Sequence, residues 1–387
     1  MTVNTEPVPF IDLGAQRQRL GDSIDQAIAQ VLEHGQFILG PEVVELERQL
    51  AQRSGVGRVV SCSSGTDALL LTLRAWGIGQ GDAVIVPAFT FIATAEVVAL
   101  LGATPVFADV NLDDFQLDPD QIPVAAAAAR TAGLEPRAVI AVGLFGQPPD
   151  QAAIRSAAAR EGLLVLGDAA QSYGATCDGT DTAQFGHATA TSFFPSKPLG
   201  CYGDGGAIFT DDEDLADVLV SLRMHGHGTD RYEHVRIGTT ARLDTIQAAI
   251  LLAKLTVFDD ELEQRNLVAR RYESGLSEVA ITPAVMAGRT SAWAQYTLRV
   301  PDRPGFISDL RDAGIPTAVH YPTPLHRQPA YSGFPKTGDG LPNSERLATE
   351  VVSLPMHPYL KPAVSERIIE AAAATLSARP GRGVAST

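Results

Sequence analysis

The fold of this chain is constrained most by a regular alternation of short apolar runs and alanine-rich helical stretches. Each run is continuously apolar, which is typical of strands buried on both faces of a sheet. Such strands, separated by helices of roughly ten to fifteen residues, predict an α/β fold with a mostly parallel central sheet. The runs are Arg58-Val-Val-Ser-Cys62, Ala83-Val-Ile-Val-Pro87, Thr104-Pro-Val-Phe-Ala108, Ala138-Val-Ile-Ala-Val142 and Leu163-Leu-Val-Leu166.

Helical patterns precede this alternation. Apolar residues recur at helical spacing from Leu13 to Val31 and predict one amphipathic helix that ends near Gly35. The next helix is predicted to begin at Pro41 and to end before Gly55, because proline favours the first turn and glycine the position after the last.

The pattern changes in the second half of the chain. A long helix is predicted from near Arg242 through Tyr272, and a strand is predicted at Gln295-Tyr-Thr-Leu-Arg-Val300. We therefore expect a large α/β domain at residues 1–250 and a smaller C-terminal α+β domain at residues 251–387. The boundary is expected inside the long helix.

Charge and composition limit the partners. The 45 acidic and 30 basic residues give a formal net charge of -15, and no basic run is present, which argues against a nucleic-acid partner. An anionic substrate would therefore need positive charge local to its site. Cys62, Cys177 and Cys201 match no disulfide framework and no zinc motif. No signal peptide or membrane-spanning apolar run is recognisable, so a cytoplasmic protein is expected.

Polar and aromatic residues follow several predicted strands, which is where parallel sheets bind their ligands. Ser64-Gly65-Thr66 follows the first strand and begins a helix, so its backbone N–H groups form a candidate phosphate site. An ordinary capped helix start has the same pattern. Phe91 follows the second strand, where it can stack on a flat ring or belong to the core.

Asp168, Ser192 and Lys197 lie at or after later strand-like runs. Asp168 needs a cationic partner at the end of an apolar strand, unless it caps a helix. Ser192 can donate to a phosphate or satisfy its own turn, and Lys197 alone has the pattern of a surface lysine. A lysine amine can form a Schiff base with a cofactor carbonyl, and a carboxylate can keep a pyridine ring protonated. Lys197 with Asp168 therefore predicts pyridoxal 5'-phosphate (PLP) as the cofactor.

The combined motifs resemble one known family, the DegT-type PLP-dependent sugar aminotransferases, from about Phe10 to about Leu360. The motifs are Ser63-Ser-Gly-Thr-Asp-Ala-Leu69, Pro87-Ala-Phe-Thr-Phe-Ile-Ala-Thr94, Asp168-Ala-Ala-Gln-Ser172, Ser192-Phe-Phe-Pro-Ser-Lys197, Gly203-Asp-Gly-Gly206 and Arg242-Leu-Asp-Thr-Ile-Gln-Ala-Ala249. The resemblance implies the aspartate-aminotransferase fold (fold type I) and a homodimer whose active sites lie at the subunit interface.

The resemblance also implies roles for single residues. Lys197 would bond to the cofactor and later move protons, while Asp168 would pair with the pyridinium nitrogen and Gln171 with the ring hydroxyl. Phe91 would stack on the ring. The phosphate would be held by Gly65, Thr66 and Ser192.

The sequence departs from the family pattern at Thr240. Family members usually have asparagine there, in Gly-x-Asn-x-Arg, and it reaches the phosphate of the neighbouring subunit's cofactor. The segment here is Gly238-Thr-Thr-Ala-Arg242. A threonine hydroxyl can donate one hydrogen bond, with a shorter reach than asparagine.

The C-terminal motifs resemble the branch that aminates UDP-linked 3-oxo-glucuronic acid derivatives, with L-glutamate as the family's usual amino donor. For the sugar carboxylate, Arg242 offers a bidentate donor, and His320 with Tyr321 would complete the pocket. His320 and Tyr321 can instead pack at the domain junction, and Arg242 can pair with Asp244 or support the dimer. These motifs are Trp293-Ala-Gln-Tyr-Thr-Leu298, Gly314-Ile-Pro-Thr-Ala-Val-His-Tyr-Pro322, Leu325-His-Arg-Gln-Pro-Ala-Tyr331 and Leu354-Pro-Met-His-Pro-Tyr359.

Three alternatives to this function remain. Some relatives dehydrate or deoxygenate sugars, but they usually have histidine in place of the lysine, and Lys197 argues against them. An aminotransferase for another ketone, such as a dTDP-keto-hexose or a cyclitol, remains compatible with Thr240. A regulatory relative without turnover is the third, although it would not need both Lys197 and Asp168.

Overall fold

A computed structural model of the chain describes residues 7–230 and 232–378. The amino-terminal segment considered for a signal peptide therefore lies almost entirely outside the described residues. The helices in the described ranges are α1 (Leu13–Leu20), α2 (Ser23–His34), α3 (Pro41–Ser54), α4 (Gly65–Ala75), α5 (Ala93–Leu100), α6 (Gln121–Thr131), α7 (Gln151–Glu161), α8 (Glu213–Leu222), α9 (Thr245–Leu276), α10 (Arg303–Asp312), α11 (Pro342–Glu350) and α12 (Pro362–Ala378). The strands are β1 (Arg58–Cys62), β2 (Asp82–Pro87), β3 (Thr104–Ala108), β4 (Glu135–Val142), β5 (Leu164–Asp168), β6 (Thr176–Cys177), β7 (Thr180–Asp181), β8 (Ala188–Ser192), β9 (Gly206–Thr210), β10 (Tyr296–Arg299) and β11 (Val351–Leu354).

The central sheet has seven strands in the order β1-β9-β8-β5-β4-β2-β3. From β8 to β3 every neighbouring pair is parallel, while β9 runs antiparallel to both β1 and β8. The carboxyl ends of the other six strands therefore meet at one edge. The prediction of an α/β fold with a mostly parallel sheet is confirmed.

Helices cover both faces of this sheet, and successive strand residues belong to different cores. In β2, Val84 and Val86 pack with residues of α4, α5 and α8, whereas Ala83 and Ile85 pack with α6 and α7. This division explains why the strands read as continuously apolar: neither face meets water. The alanine run of α6 provides Ala125, which is fully buried in the second of these cores.

The long helix α9 contacts two different cores. Its first half packs Leu251 and Phe258 against α3 and the β1 and β9 end of the large sheet. Its second half packs Val268 and Tyr272 against α10, α12 and the antiparallel pair of β10 and β11. The change of core falls between Phe258 and Val268, somewhat beyond the expected boundary near residue 250; the division into two domains stays a prediction.

The prediction of a single amino-terminal helix is wrong. The structure has α1 and α2, separated at Gly21, which has a left-handed φ of 55°. The apolar spacing continues across the break because Leu20 and Ile24 pack on the same patch of α9, beside Ile250. The apolar periodicity therefore predicted one helix, because α1 and α2 bury residues against the same patch of α9. Helix α3 begins and ends as predicted, at Pro41 and before Gly55.

Among the helices of the described ranges, none combines the length and the apolar character that crossing a membrane requires.

Candidate active site

A cavity of about 450 Å³ opens at the carboxyl ends of the central strands. Nine of the eleven predicted site residues line it, and they come from four strand ends and one distant loop. They are Gly65, Thr66, Phe91, Asp168, Gln171, Ser192, Lys197, His320 and Tyr321. Thr240 and Arg242, the other two, do not line this cavity.

One end of the cavity presents the first turn of α4. Backbone N–H groups in a first helical turn have no acceptor within the helix, so those of Gly65 and Thr66 are suited to an anion. Ser64 caps the helix, because its Oγ accepts from the N–H of Asp67 at 3.0 Å. The capping interpretation and the phosphate interpretation are thus compatible, since the cap engages a different N–H group.

Glycines allow this turn to lie against the end of β8. A Cβ at Gly65 would lie 2.6 Å from Cβ of Ser192, and a Cβ at Gly206 would lie 2.4 Å from the carbonyl oxygen of Ser64. Neither approach is possible for a residue with a side chain. The N–H of Phe194 donates to Oγ of Ser192 at 3.2 Å, so the serine does serve its own turn. Its hydroxyl hydrogen is still available to an anion.

Asp168 is buried at the end of β5. Its Oδ1 accepts from the N–H of Ala170 at 3.0 Å, in a turn rather than at the start of a helix. Burial raises the pKa of the carboxyl group, while the hydrogen bond from Ala170 and the charge of Lys197 act in the opposite direction. Asp168 forms no ion pair within the described ranges, and the charge of Lys197 acts on it only across the cavity. A protonated ring nitrogen between them would offset the desolvation.

Lys197 is half-buried on the loop between β8 and β9, and its N–H donates to the carbonyl of Phe194 at 2.9 Å. Burial lowers the pKa of its amine, and the attraction of Asp168 only partly opposes that change. A solvated surface lysine would not be affected in this way. A lowered pKa favours the neutral amine, which is the form that attacks a carbonyl.

The aromatic wall of the cavity consists of Phe91 and Tyr321. Phe91 is 49% exposed, so it is not a core phenylalanine. Its ring centroid lies 5.9 Å from that of Tyr321, with 40° between the planes. Gln171 lies beside them: its Oε1 accepts from the N–H of Phe145 at 2.7 Å, and its Nε2 lies 3.4 Å from the hydroxyl of Tyr321. The amide is held with its nitrogen toward the cavity residues.

His320 links the cavity to the small sheet. Its Nδ1 lies 3.4 Å from Oγ of Ser353 in β11. Burial lowers the pKa of the imidazole, and the charge of Lys197 lowers it further. His320 thus contacts β11, as the packing interpretation expects, and both His320 and Tyr321 line the cavity. Their role in binding a substrate stays a prediction.

Thr240 and Arg242 lie on a neighbouring surface. Oγ1 of Thr240 is 2.7 Å from Nε2 of His225, and Thr240 is exposed. Nη1 of Arg242 lies 4.0 Å from Sδ of Met224. Within residues 7–230 and 232–378 Arg242 forms no ion pair, so the alternative of a pair with Asp244 is not observed.

Several cavity residues were not predicted from the sequence, of which Gln295 is the clearest. It precedes β10, more than a hundred residues from the β5 and β8 ends that it faces, and no local pattern distinguishes it. Its Oε1 is buried without a hydrogen-bond partner among the described residues. Asp204 was also missed, although it lies within the glycine-rich turn after Lys197.

PLP fits this set of donors. The cofactor needs an amine for its aldehyde, a carboxylate for its ring nitrogen, an aromatic surface and an anion cradle. The cavity provides each from a different strand end, and the close approach of Gly65 to Ser192 shapes the cradle. With its helix-covered, mostly parallel sheet, this arrangement defines a PLP-dependent enzyme of the aspartate-aminotransferase fold.

The chain belongs to the DegT/DnrJ/EryC1/StrS aminotransferase family, whose model matches residues 18–373. It is 49% identical over 366 residues to the UDP-2-acetamido-2-deoxy-3-oxo-D-glucuronate aminotransferase of Pseudomonas aeruginosa, covering 94% of this chain and 99% of that protein. It is 41% identical over 369 residues to the dTDP-3-amino-3,4,6-trideoxy-alpha-D-glucose transaminase of Streptomyces venezuelae, covering 95% and 96%. The protein is accordingly a PLP-dependent sugar aminotransferase.

Solved structures agree with the fold and the cofactor. A DegT/DnrJ/EryC1/StrS aminotransferase from Brucella abortus superimposes with a TM-score of 0.93 at 49% identity, covering 94% of this chain and 98% of that one. NtdA from Bacillus subtilis, solved with bound cofactor PMP (pyridoxamine phosphate), has a TM-score of 0.87 at 28% identity, covering 97% and 86%.

Proposed function

We propose that this protein transfers the amino group of L-glutamate to the C3 keto group of a UDP-linked 3-oxo-glucuronic acid derivative. The observation that carries the proposal is one cavity holding Lys197 and Asp168 together with His320 and Tyr321. The first pair serves amino transfer in general. The second pair suits a sugar that carries a carboxylate, and the relative from P. aeruginosa is named for such a sugar.

PLP would supply an aldehyde carbon that can accept the amino group, and a protonated ring that can accept electrons from the reacting carbon. Lys197 would bond to the aldehyde and then, once displaced by an amino substrate, move a proton at the reacting carbon as a neutral amine. Its lowered pKa supports this role. Asp168 would hold the ring nitrogen protonated, and its carboxylate would thereby gain the partner that burial demands.

The remaining cofactor roles follow from position. The first turn of α4 at Gly65 and Thr66, with the hydroxyl of Ser192, would hold the phosphate. Phe91 would stack on the ring, and the Nε2 of Gln171 would donate to the ring hydroxyl. All of these groups line the cavity. Gln171 is held by its hydrogen bond with the N–H of Phe145, and Gly65 lies close against Ser192.

A sugar carboxylate would be bound by positive and polar groups from two directions. His320 and Tyr321 lie on the cavity wall. Arg242 lies outside this cavity and has no carboxylate partner in the described ranges, which leaves its guanidinium available for a bidentate pair. We propose that Arg242 reaches the site of a second subunit, as does Thr240.

A homodimer with shared active sites follows from this placement. Large apolar side chains are exposed near the cavity and near the segment that carries Thr240, and a second copy of the chain would bury them. Isolated β-bridges join Ile38 to Asp244 and Met224 to Thr240, so the segments that carry these residues adjoin one another. The exposed apolar residues are Phe37, Ile38, Phe194, Val235 and Ile237.

A second substrate class, the dTDP-linked keto-hexoses, is favoured by the S. venezuelae relative. These sugars lack the carboxylate, so Arg242 would have no charge to bind. The presence of Arg242 without an ion pair in the described ranges therefore favours the uronic acid. We further propose that the enzyme acts in the cytoplasm, where nucleotide sugars are made.

The test is an assay of the purified enzyme with L-glutamate and a panel of UDP- and dTDP-linked keto-sugars. We expect amination of the UDP-3-oxo-glucuronic acid derivative, with Arg242→Ala raising KM for this sugar by roughly 100-fold, as loss of a bidentate charge pair would. Turnover of a dTDP-keto-hexose but not of the uronic acid would overturn the substrate assignment. Bleaching of the cofactor colour by glutamate reports the first half-reaction separately.

A further inference from the structure

A second lysine, Lys254, is buried behind the loop that carries Lys197. It lies in the first half of α9 and is 1% exposed. Its Nζ donates to the carbonyl oxygen of Gly200 at 2.6 Å, three residues after Lys197. The same ammonium group lies 4.1 Å from the ring centroid of Tyr202. An isolated buried ammonium is unfavourable, so this placement needs a reason.

The loop that Lys254 contacts is a tight turn. A Cβ at Gly200 would lie 2.6 Å from the carbonyl oxygen of Phe194, the same oxygen that accepts from the N–H of Lys197. The N–H of Cys201 closes the turn by donating to the carbonyl of Phe193 at 2.7 Å. The carbonyl oxygen of Gly200 faces the buried Lys254 of α9. It is one of the groups through which α9 contacts the turn.

Helix α9 contributes a polar stripe at this place. Gln247, Lys254 and Glu261 are spaced seven residues apart, so they lie on one face of the helix. Oε1 of Gln247 accepts from the N–H of Tyr202 at 2.8 Å, on the same turn. Glu261 is buried and accepts from Nε2 of Gln16 at 2.9 Å and from the hydroxyl of Tyr359.

Charge supports the same arrangement. Burial lowers the pKa of Lys254 to about 8, and the Glu261 carboxylate acts against that shift. The ammonium form therefore persists at neutral pH, where it donates a charge-assisted hydrogen bond to the Gly200 carbonyl. Gln247 and Lys254 hydrogen-bond to the turn on one side, while Lys197 lies on the side that faces the cavity.

We infer that Lys254 is a positioning residue, which holds the Gly200 carbonyl and thereby fixes the direction in which Lys197 presents its amine. Lys254 lines neither the cavity nor its mouth, so it acts only through the turn. The inference rests on the proposed role of Lys197. The appearance of visible absorbance when PLP is added to the cofactor-free wild-type protein tests that role by itself.

The experiment uses Lys254→Met, which keeps an unbranched side chain of similar length and removes the donor. Two quantities are measured on cofactor-free protein: the rate at which the absorbance of lysine-bonded PLP appears, and the affinity for pyridoxamine phosphate, which has no aldehyde and cannot bond to Lys197. We expect the rate to fall roughly tenfold because the amine is misdirected. The affinity for pyridoxamine phosphate should change by less than about twofold, because the phosphate cradle is untouched.

Val268→Ala serves as the matched control, because it lies on the same helix and removes buried volume from the other core. It should lower stability without slowing PLP attachment. If Lys254→Met does not fold, Lys254→Gln, whose amide is too short to reach Gly200 in the same way, is measured identically. Amide hydrogen exchange of residues 197–203 should be faster in either variant. An unchanged rate of attachment, or an equal loss of rate and of pyridoxamine phosphate affinity, would overturn the inference.

Discussion

Lys197 and Asp168 are each placed where an ionised side chain is unfavourable without the cofactor. Burial lowers the pKa of the amine and raises that of the carboxyl group. Each shift favours the neutral form, and the attraction between the two side chains does not cancel it. Apolar side chains at these two positions would make the cofactor-free protein more stable. Binding a protonated ring beside Asp168 would offset the cost of burying its charge.

Lys197→Ala should abolish turnover and remove the visible absorbance of the lysine-bonded cofactor, because no other described lysine lines the cavity. Absorbance spectra and single-turnover assays with glutamate measure both effects. Lys361→Ala, at an exposed position, is the control and should behave as the wild type does. Retained absorbance or turnover in Lys197→Ala would contradict the assignment.

Asp168→Asn should separate stability from activity. Because burial raises the pKa of Asp168, the native cofactor-free protein binds its proton more tightly than the unfolded chain does. Stability contributed by this group is therefore lost as pH rises from the ordinary carboxyl pKa through the raised value. Removing the charge should stabilise the cofactor-free protein by about 1 kcal/mol above that window, and flatten the pH dependence of its melting temperature.

The same substitution should lower kcat by at least roughly 100-fold, because the ring nitrogen loses the partner that keeps it protonated. Thermal unfolding between about pH 4 and pH 8 and steady-state kinetics measure the two effects. Asp113→Asn, at an exposed position, should change neither. A destabilised Asp168→Asn protein at neutral pH would show that the carboxylate is stabilised by the fold itself.

At the scale of elements, the site depends on how closely the first turn of α4 approaches the end of β8. The sheet register places Gly206 of β9 opposite both Cys62 of β1 and Ser192 of β8. Strand β9 therefore lies between β1 and β8. The turn after β1 crosses over β9 to reach β8, and glycines at 65 and 206 leave room for it. The proposed phosphate cradle would thus combine residues that follow β1 with a residue at the end of β8, two strands that are not neighbours.

Gly65→Ala should weaken PLP and pyridoxamine phosphate binding together, because the new methyl group would meet Cβ of Ser192 at 2.6 Å and push the turn away. Overpacking of this kind also destabilises by about 1–3 kcal/mol. Gly333→Ala is a suitable control, since nothing lies within 4 Å of a Cβ built there. Equilibrium dialysis and chemical unfolding measure the two effects, and unchanged cofactor affinity would place the phosphate elsewhere.

At the scale of the whole molecule, the placement of Arg242 outside the cavity predicts complementation between two inactive variants. At sugar concentrations well below KM, Lys197→Ala and Arg242→Ala homodimers should each be nearly inactive. In an equal mixture after subunit exchange, half of the dimers are mixed, and one of the two sites in each has both residues intact. Roughly a quarter of wild-type activity should return.

Size-exclusion chromatography of each variant shows whether dimers form before mixing. Mixing Lys197→Ala with Asp168→Asn is the control, because both residues line the same cavity in one chain and no mixed dimer gains an intact site. No recovery in the first mixture would mean that Arg242 serves its own subunit or has another role.

The sequence determined the fold class and most of the site, because both depend on local order along the chain. Continuous apolar runs identified five of the seven strands of the central sheet, and these five begin and end within three residues of their predicted bounds. In a parallel sheet the residues after each strand share an edge, so Thr66, Phe91, Asp168 and Ser192 could be placed together before any coordinates. Motif resemblance added His320 and Tyr321, which no local pattern assigns to a cavity.

Only the tertiary structure decided how distant segments meet. The break at Gly21, the entry of Gln295 into the cavity, and the position of Arg242 outside it are not encoded in local periodicity. The contact of Lys254 with Gly200 joins residues 54 apart in the chain, and the spacing of Gln247, Lys254 and Glu261 within their own helix does not indicate it. Such contacts depend on packing between elements, which sequence spacing within one element does not specify.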